Sequence, residues 1–185
     1  MESINILKCF YCNGNHIVRN CPIEKKEANN NKKIIGKFME NYYANNFCCY
    51  NCQEEDFKVL NNRSPSLDII CNGCNNKIEI KSKCLSVDIL PNDIILNNGS
   101  YKFFLDRLEE NLDLVIFIYK ADRITKNIII REILYFPNYQ LKENKIIKII
   151  PREDKNISII YIPNRNDPNI IKLSVPNNNI INTII

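Results

Sequence analysis

Four cysteines, Cys49, Cys52, Cys71 and Cys74, fall as C-x2-C…C-x2-C. Four thiolates at this spacing suit a tetrahedral zinc site closed to substrate, with a structural role. Acidic and basic residues are threaded around the second pair: Asp68 stands before Cys71, and Glu79 and Lys81 follow Cys74. Residues two apart in a strand share a face, so Glu79 and Lys81 are expected to point the same way. If Cys71–Cys74 forms a turn centred between Asn72 and Gly73, Asp68 mirrors Lys77 and has Glu79 as its diagonal neighbour, about 7–8 Å away at Cα. Two carboxylates so placed can converge on a hard cation such as Mg²⁺. Such a cation polarises a phosphoryl oxygen and lowers the pKa of a bound water. Lys81 could orient that water or stabilise the developing charge. The competing reading is an ordinary solvated strand face, which is the commoner origin of an isolated E-x-K.

The N-terminal segment "CFYCNGNHIVRNCP" carries Cys9, Cys12, His16 and Cys21 as C-x2-C-x3-H-x4-C. It resembles the zinc knuckle of retroviral nucleocapsid proteins with one residue deleted. So short a segment cannot bury a core, and structural zinc contributes roughly 10–16 kcal/mol to small zinc peptides. Phe10, Tyr11, Ile17 and Arg19 match the stacking and phosphate-contacting residues that knuckles offer to single-stranded nucleic acid. The alternative is that they cover a structural zinc or meet a protein. Lys83, on the Lys81 face of its strand, is a further candidate nucleic-acid contact. Cys48 would make C-x3-C with Cys52, so Cys49 is the expected ligand. Cys84 falls on the opposite strand face from Lys81 and is expected in the core.

The chain has 185 residues, 9 cysteines and a formal charge of +4. That length accommodates one ordinary domain and a small appendage. Cysteines grouped in C-x2-C pairs favour metal over disulfides and imply a reducing, intracellular compartment. No signal-peptide pattern opens the sequence, and no apolar run approaches the roughly 18–20 residues that span a bilayer, so a soluble protein without a membrane partner is expected. A mildly basic balance permits a polyanionic partner without requiring one. Abundant Asn, Ile and Lys reflect A/T-rich codons, and runs such as "EANNNKK" carry no functional weight.

Three regions follow: a knuckle over 1–24, a charged linker over 25–33 and the main domain over 34–185. Apolar residues from Ile34 to Tyr43 recur at helical spacing, with Glu40 on the flank. "LDIIC", "KIEIKSKCLSV", "DLVIFIYK" and "NIIIREILYFP" read as strands, the third buried on both faces. "GSYKFFLDRLEENL" reads as a helix. Residues 138–185 hold short Ile-rich runs separated by Pro, read as short strands, with poor order expected over "NNNIINTII". The fold class is α/β: a mixed central sheet flanked by helices, with an inserted four-cysteine zinc site and a small N-terminal knuckle.

From about Lys37 to Pro137 the chain resembles the DpnI-like (Dam-replacing) restriction endonucleases of the PD-(D/E)XK superfamily. The landmarks are "FMENYYANNFCCYNC", "NNRSPSLDIICNGC", "IEIKSK", "NDIILNNGSYKFFLDRL" and "DLVIFIYK", in that order. The resemblance implies a restriction-endonuclease-like core with Asp68 and Glu79 as Mg²⁺ ligands and Lys81 as the third catalytic residue. It implies structural zinc at Cys49, Cys52, Cys71 and Cys74, and endonucleolytic cleavage of double-stranded DNA. In some relatives cutting is confined to adenine-methylated sites and a C-terminal winged helix reads the methyl group; here the tail reads as β. An N-terminal helical Glu extends the ligand shell in some relatives, which would make Glu40 a further ligand, against the commoner exposed helical Glu. A non-catalytic, zinc-dependent nucleic-acid-binding module on a nuclease fold is the alternative function, with RNA as a third substrate reading. No residue pattern fixes an oligomeric state.

Overall fold

The computed structural model describes residues 22–60, 67–85, 89–122, 127–152, 157–175 and 180–182. Two compact units divide the chain, Met1–Phe38 and Met39–Ile185. The knuckle residues Cys9, Cys12, Phe10, Tyr11, His16, Ile17, Arg19 and Cys21 lie outside the described residues. Of the first unit the described part is helical.

The first helix, α1 (Pro22–Asn46), is longer than the segment 34–43 whose apolar spacing predicts it. It takes in 25–33, the segment read as a linker. Proline is favoured at a first helical position because its missing N–H has no intrahelical partner there anyway. Glu, Lys and Ala then sustain the helix without needing an apolar face.

The second unit is built on a seven-stranded mixed sheet. Its strands are β1 (Phe57–Val59), β2 (Ile69–Cys71), β3 (Lys77–Leu85), β5 (Leu112–Asp122), β6 (Asn127–Phe136), β9 (Ile171–Leu173) and β10 (Ile180–Asn182). They run in the order β1-β2-β3-β5-β6-β10, with β9 also pairing β6. β3 and β5 are parallel, and the other pairs are antiparallel. A parallel pair needs a crossover. Here it contains β4 (Ile94–Asn97) and α2 (Tyr101–Glu109), the helix expected from its apolar spacing. After β6 come α3 (Asn138–Glu143), β7 (Lys148–Arg152) and β8 (Ile157–Ile162). β4, β8 and β7 form a second, antiparallel sheet of three strands.

β5 sits in the middle and is buried on both faces, as its unbroken apolar run predicts: Leu112, Leu114, Val115, Ile116, Phe117 and Ile118 are all inaccessible. One face packs in a core with Phe104 and Leu108 of α2, Leu141 of α3, and Ile94, Leu96, Ile160 and Ile162 of the second sheet. On the other face Tyr42 of α1 meets Phe117 edge-on, and Tyr43 stacks on Phe47 and meets Phe57. The sheet and its covering helices give the mixed α/β class expected.

Three details differ from expectation. α3 is too short for its apolar spacing to be read. Ile180–Asn182 pairs antiparallel with Asn127–Ile129 of β6, where poor order was expected. Cys84 is exposed rather than in the core, because on its face of β3 the cover falls away from buried Ile78 and Ile80 through Ser82, while Leu85 on the other face stays buried. Among the described residues, no helix is long and apolar enough to cross a membrane.

Candidate active site and metal centre

The two C-x2-C turns are built alike. Cys49 N–H donates to Glu54 C=O (2.7 Å) and Cys71 N–H to Asn76 C=O (2.9 Å). Gln53 N–H returns to Cys49 C=O and Asn75 N–H to Cys71 C=O, both at 2.8 Å. The returning residue is left-handed in each, with φ of 62° at Gln53 and 59° at Asn75. The turns are sewn together by Asn72, whose N–H and side-chain amide donate to the C=O and carboxylate of Asp56. Gly73 sits in the join: a Cβ there would lie 2.8 Å from Glu54 Cγ and 3.3 Å from Cys52 Sγ.

This arrangement brings Cys49, Cys52, Cys71 and Cys74 together, with all four sulfurs within 4.8 Å of one another. The Cys49–Cys74 and Cys52–Cys71 sulfurs are each 3.5 Å apart. A tetrahedron of Zn–S bonds of about 2.3 Å requires S···S separations of about 3.8 Å, so the cluster could hold a metal such as zinc. Burial pushes the Cys49 thiol up to about 12, a cost that a bound cation would remove by stabilising the thiolate. Cys48 is outside the cluster, exposed, with its thiol towards the Gln53 side-chain carbonyl.

The same turn sets the register of the hairpin that carries the acidic residues. A four-residue turn, Asn72 to Asn75, is closed by the Cys71 N–H to Asn76 C=O hydrogen bond just before β3, so Ile70 faces Lys77 and Ile69 faces Ile78. Lys77 therefore does not mirror Asp68, as a turn centred between Asn72 and Gly73 would require. The paired register ends at Ile69 and Ile78, and Asp68 just beyond it lies near enough for its charge to act on the Glu79 carboxyl. The left-handed Asn75 supplies the extra length.

At Asp68 the β2–β3 ladder changes. Its N–H donates to Ile78 C=O at 3.1 Å, and its carboxylate accepts the Ile80 N–H at 2.7 Å. The carboxylate takes a ladder hydrogen bond and is fixed at the peptide between Glu79 and Lys81. Glu79 is 2% exposed, which removes the solvated-face reading for it. One of its oxygens pairs with Lys81 Nζ. The other, Oε2, is buried without a hydrogen-bond partner among the described residues. Burial pushes the Glu79 carboxyl up to about 7; Lys81 opposes this, and the charges of Asp68 and Glu40 add to it.

Glu40 is thus not the exposed helical residue that its type makes commonest: it is 8% exposed on α1 and close enough for Glu79 to feel its charge. Glu79 pairs with Lys81, keeps one buried oxygen without a partner among the described residues, and feels the charges of two further carboxylates, Asp68 and Glu40. Such an excess of negative charge, presented by hard oxygen donors, suits Mg²⁺ rather than a soft metal. Lys83, on the same strand, donates to Ile95 C=O of β4 at 3.1 Å and so ties the second sheet to the catalytic-strand candidate.

Asp113, at the start of β5, carried no sequence signal. It is 1% exposed and accepts from Tyr135 OH, Asn76 Nδ2 and Asn138 N–H. Burial raises its carboxyl above the usual range, and these three donors oppose that. Its partners are far apart in sequence, so no local spacing could reveal them.

No curated protein matches the chain. The sequence model of the DpnI, Dam-replacing, family matches residues 16–183. The family implies a restriction-type nuclease acting on DNA, and a hairpin held by four clustered cysteines and bearing paired carboxylates fits that implication. By this match over most of its length, the chain belongs to the DpnI (Dam-replacing) family.

Proposed function

We propose that the chain is a Mg²⁺-dependent endonuclease with a PD-(D/E)XK site that hydrolyses phosphodiester bonds in double-stranded DNA. The observation that carries this is Glu79: a nearly inaccessible carboxylate with one oxygen on Lys81, the other without a partner among the described residues, and Asp68 and Glu40 within electrostatic reach. Buried charge without compensation is costly, and it recurs where a cation belongs.

Asp68, Glu79 and Glu40 would hold the cation. When bound, Mg²⁺ supplies Lewis acidity toward a phosphoryl oxygen and acidifies a water. Asp68 is oriented for this by the Ile80 N–H, which fixes one carboxylate oxygen. Glu79 is kept dry by the sheet, which strengthens every charge interaction around it. Lys81, three-quarters buried and already directed at Glu79, supplies a positive charge that can hold the attacking water or meet charge developing on the phosphate. The zinc at Cys49, Cys52, Cys71 and Cys74 would act at a distance, by fixing the hairpin register from which Asp68 and Glu79 are presented.

Adenine-methylation sensitivity belongs to this proposal as a property of the substrate. The experiment is cleavage of plasmid DNA by zinc-loaded protein with and without Mg²⁺, using wild type and Lys81→Ala. Loss of cutting with zinc retained supports the assignment; persistence of cutting removes Lys81 from it. A non-catalytic DNA-binding module is the outcome if neither protein cuts while both bind.

A further inference from the structure

Where the two C-x2-C turns, the α2–β5 connection and the β6–α3 junction meet, they form an open concavity of about 500 Å³. That is the size range of sites that take small organic groups. Tyr50 and Tyr139 stand at it, 46% and 55% exposed. Their rings offer stacking faces at the edge of the concavity. Tyr50 is oriented from behind by Tyr135, with ring centroids 5.1 Å apart. Asn75 and Asn111 also line the cavity, with φ of 59° and 62°. Left-handed backbone at two facing turns marks walls of defined shape.

Asn51, Asn75 and Asn111 stand exposed at the rim, and the buried polar groups of the floor are Asn76 and Asp113. Asn76 is 3% exposed, donates its amide to Asp113, and leaves Oδ1 buried without a partner among the described residues. Asp113 is a carboxylate acceptor held by Tyr135 and Asn138. Both present acceptors, and a negative group at the cavity would repel a phosphate. The matching ligand is therefore planar, uncharged, and bears N–H donors on its edge.

We propose that this cavity receives a single unstacked nucleobase of the DNA, stacked on Tyr50 or Tyr139 and donating hydrogen bonds towards Asn76 and Asp113. Proteins that read unstacked bases combine aromatic faces with amide and carboxylate edges in this way. The distance fits a contact near the scissile bond: Asn76 lies three residues from Glu79 along the chain leading through β3, about 10 Å. The proposal rests on the DNA-nuclease reading, which supplies the polymer to which the base belongs.

Photocrosslinking tests it directly. Zinc-loaded, full-length Lys81→Ala protein is irradiated with duplex pools carrying 5-iodouracil, 5-iodocytosine or 8-bromoadenine, and the adducts are located by mass spectrometry. Adducts on Tyr50 or Tyr139 are expected from at least one pool. Tyr50→Leu and Tyr139→Leu, both at exposed rings, are then measured for duplex affinity, and the crosslinked one should bind about fivefold to a hundredfold more weakly. Adducts confined to other residues, or unchanged affinity in both variants, would overturn the cavity while leaving the nuclease assignment standing. Absence of any DNA binding by wild-type protein would overturn both.

Discussion

Glu79 combines burial with a charge relationship that can be titrated. Its carboxyl is pushed up to about 7 by burial, against an ordinary value of 4.5. A carboxyl whose folded value is raised binds its proton more tightly when folded, so its contribution to stability is complete below about 4.5 and is lost as pH rises through about 7. Without added Mg²⁺ and with zinc in place, Tm should therefore fall between pH 5 and 8 more steeply in wild type than in Glu79→Gln. Asp113 shifts in the same direction, so the informative quantity is the difference between the two proteins. Mg²⁺ favours the ionised carboxylate and should flatten the wild-type slope; a slope identical in both proteins would contradict the assignment. Lys81→Ala should lower cleavage by about 10²-fold or more, the scale on which a single charge-stabilising group acts. Asp68, Glu79 and Lys81 were legible in the sequence as a set because their spacing matched a family's landmarks. The orphaned Oε2 of Glu79 and the Ile80 N–H held by Asp68 were not, because both depend on where the hairpin ladder breaks.

At the scale of elements, the four-cysteine hairpin and α1 place the acidic residues. Among Cys48, Cys49, Cys52, Cys71 and Cys74, only Cys48 stands outside the sulfur cluster. Cys74→Ser should lose zinc, measured by metal analysis, and cleavage with it; Cys48→Ser should lose neither. Gly73→Ala forces a Cβ against Glu54 and Cys52 and should make zinc easier to remove by a chelator, an effect that a neutral surface glycine would not show. The four-cysteine pairing could be read from spacing alone, since zinc fixes ligand type and number. The register could not: a turn of four residues rather than two moves every cross-strand partner, and that depended on Asn75 adopting left-handed φ. Likewise, the burial of Glu40 is set by α1 packing on a sheet whose strands come later in the chain.

Across the whole molecule, the second unit is a mixed sheet with β5 at its centre, covered on one face by α2, α3 and the three-stranded sheet and met on the other by Tyr42 at the end of α1. Its apolar core strand was evident from the sequence, because Leu114 to Tyr119 is an unbroken apolar run of strand length. The three-stranded sheet was not, since β4 pairs with β8, a strand far along the chain, and local periodicity says nothing about such partners. Phe104 fixes that layer on the main sheet and is inaccessible; Phe104→Ala should cost about 3–5 kcal/mol in denaturant unfolding, whereas a loss under 1 kcal/mol would show the layer to be loosely joined. The claim on which the rest depends is that one Mg²⁺ site, at Asp68, Glu79 and Lys81, cuts duplex DNA. The most direct measurement incubates zinc-loaded wild type and Lys81→Ala with adenine-methylated and unmethylated plasmid, with Mg²⁺ or without it. Discrete fragments from wild type with Mg²⁺ only, from either or both plasmids, and none from a Lys81→Ala protein that still holds zinc, are the predicted result. Equal cutting by the two proteins, or no cutting by wild type under any condition, would contradict it.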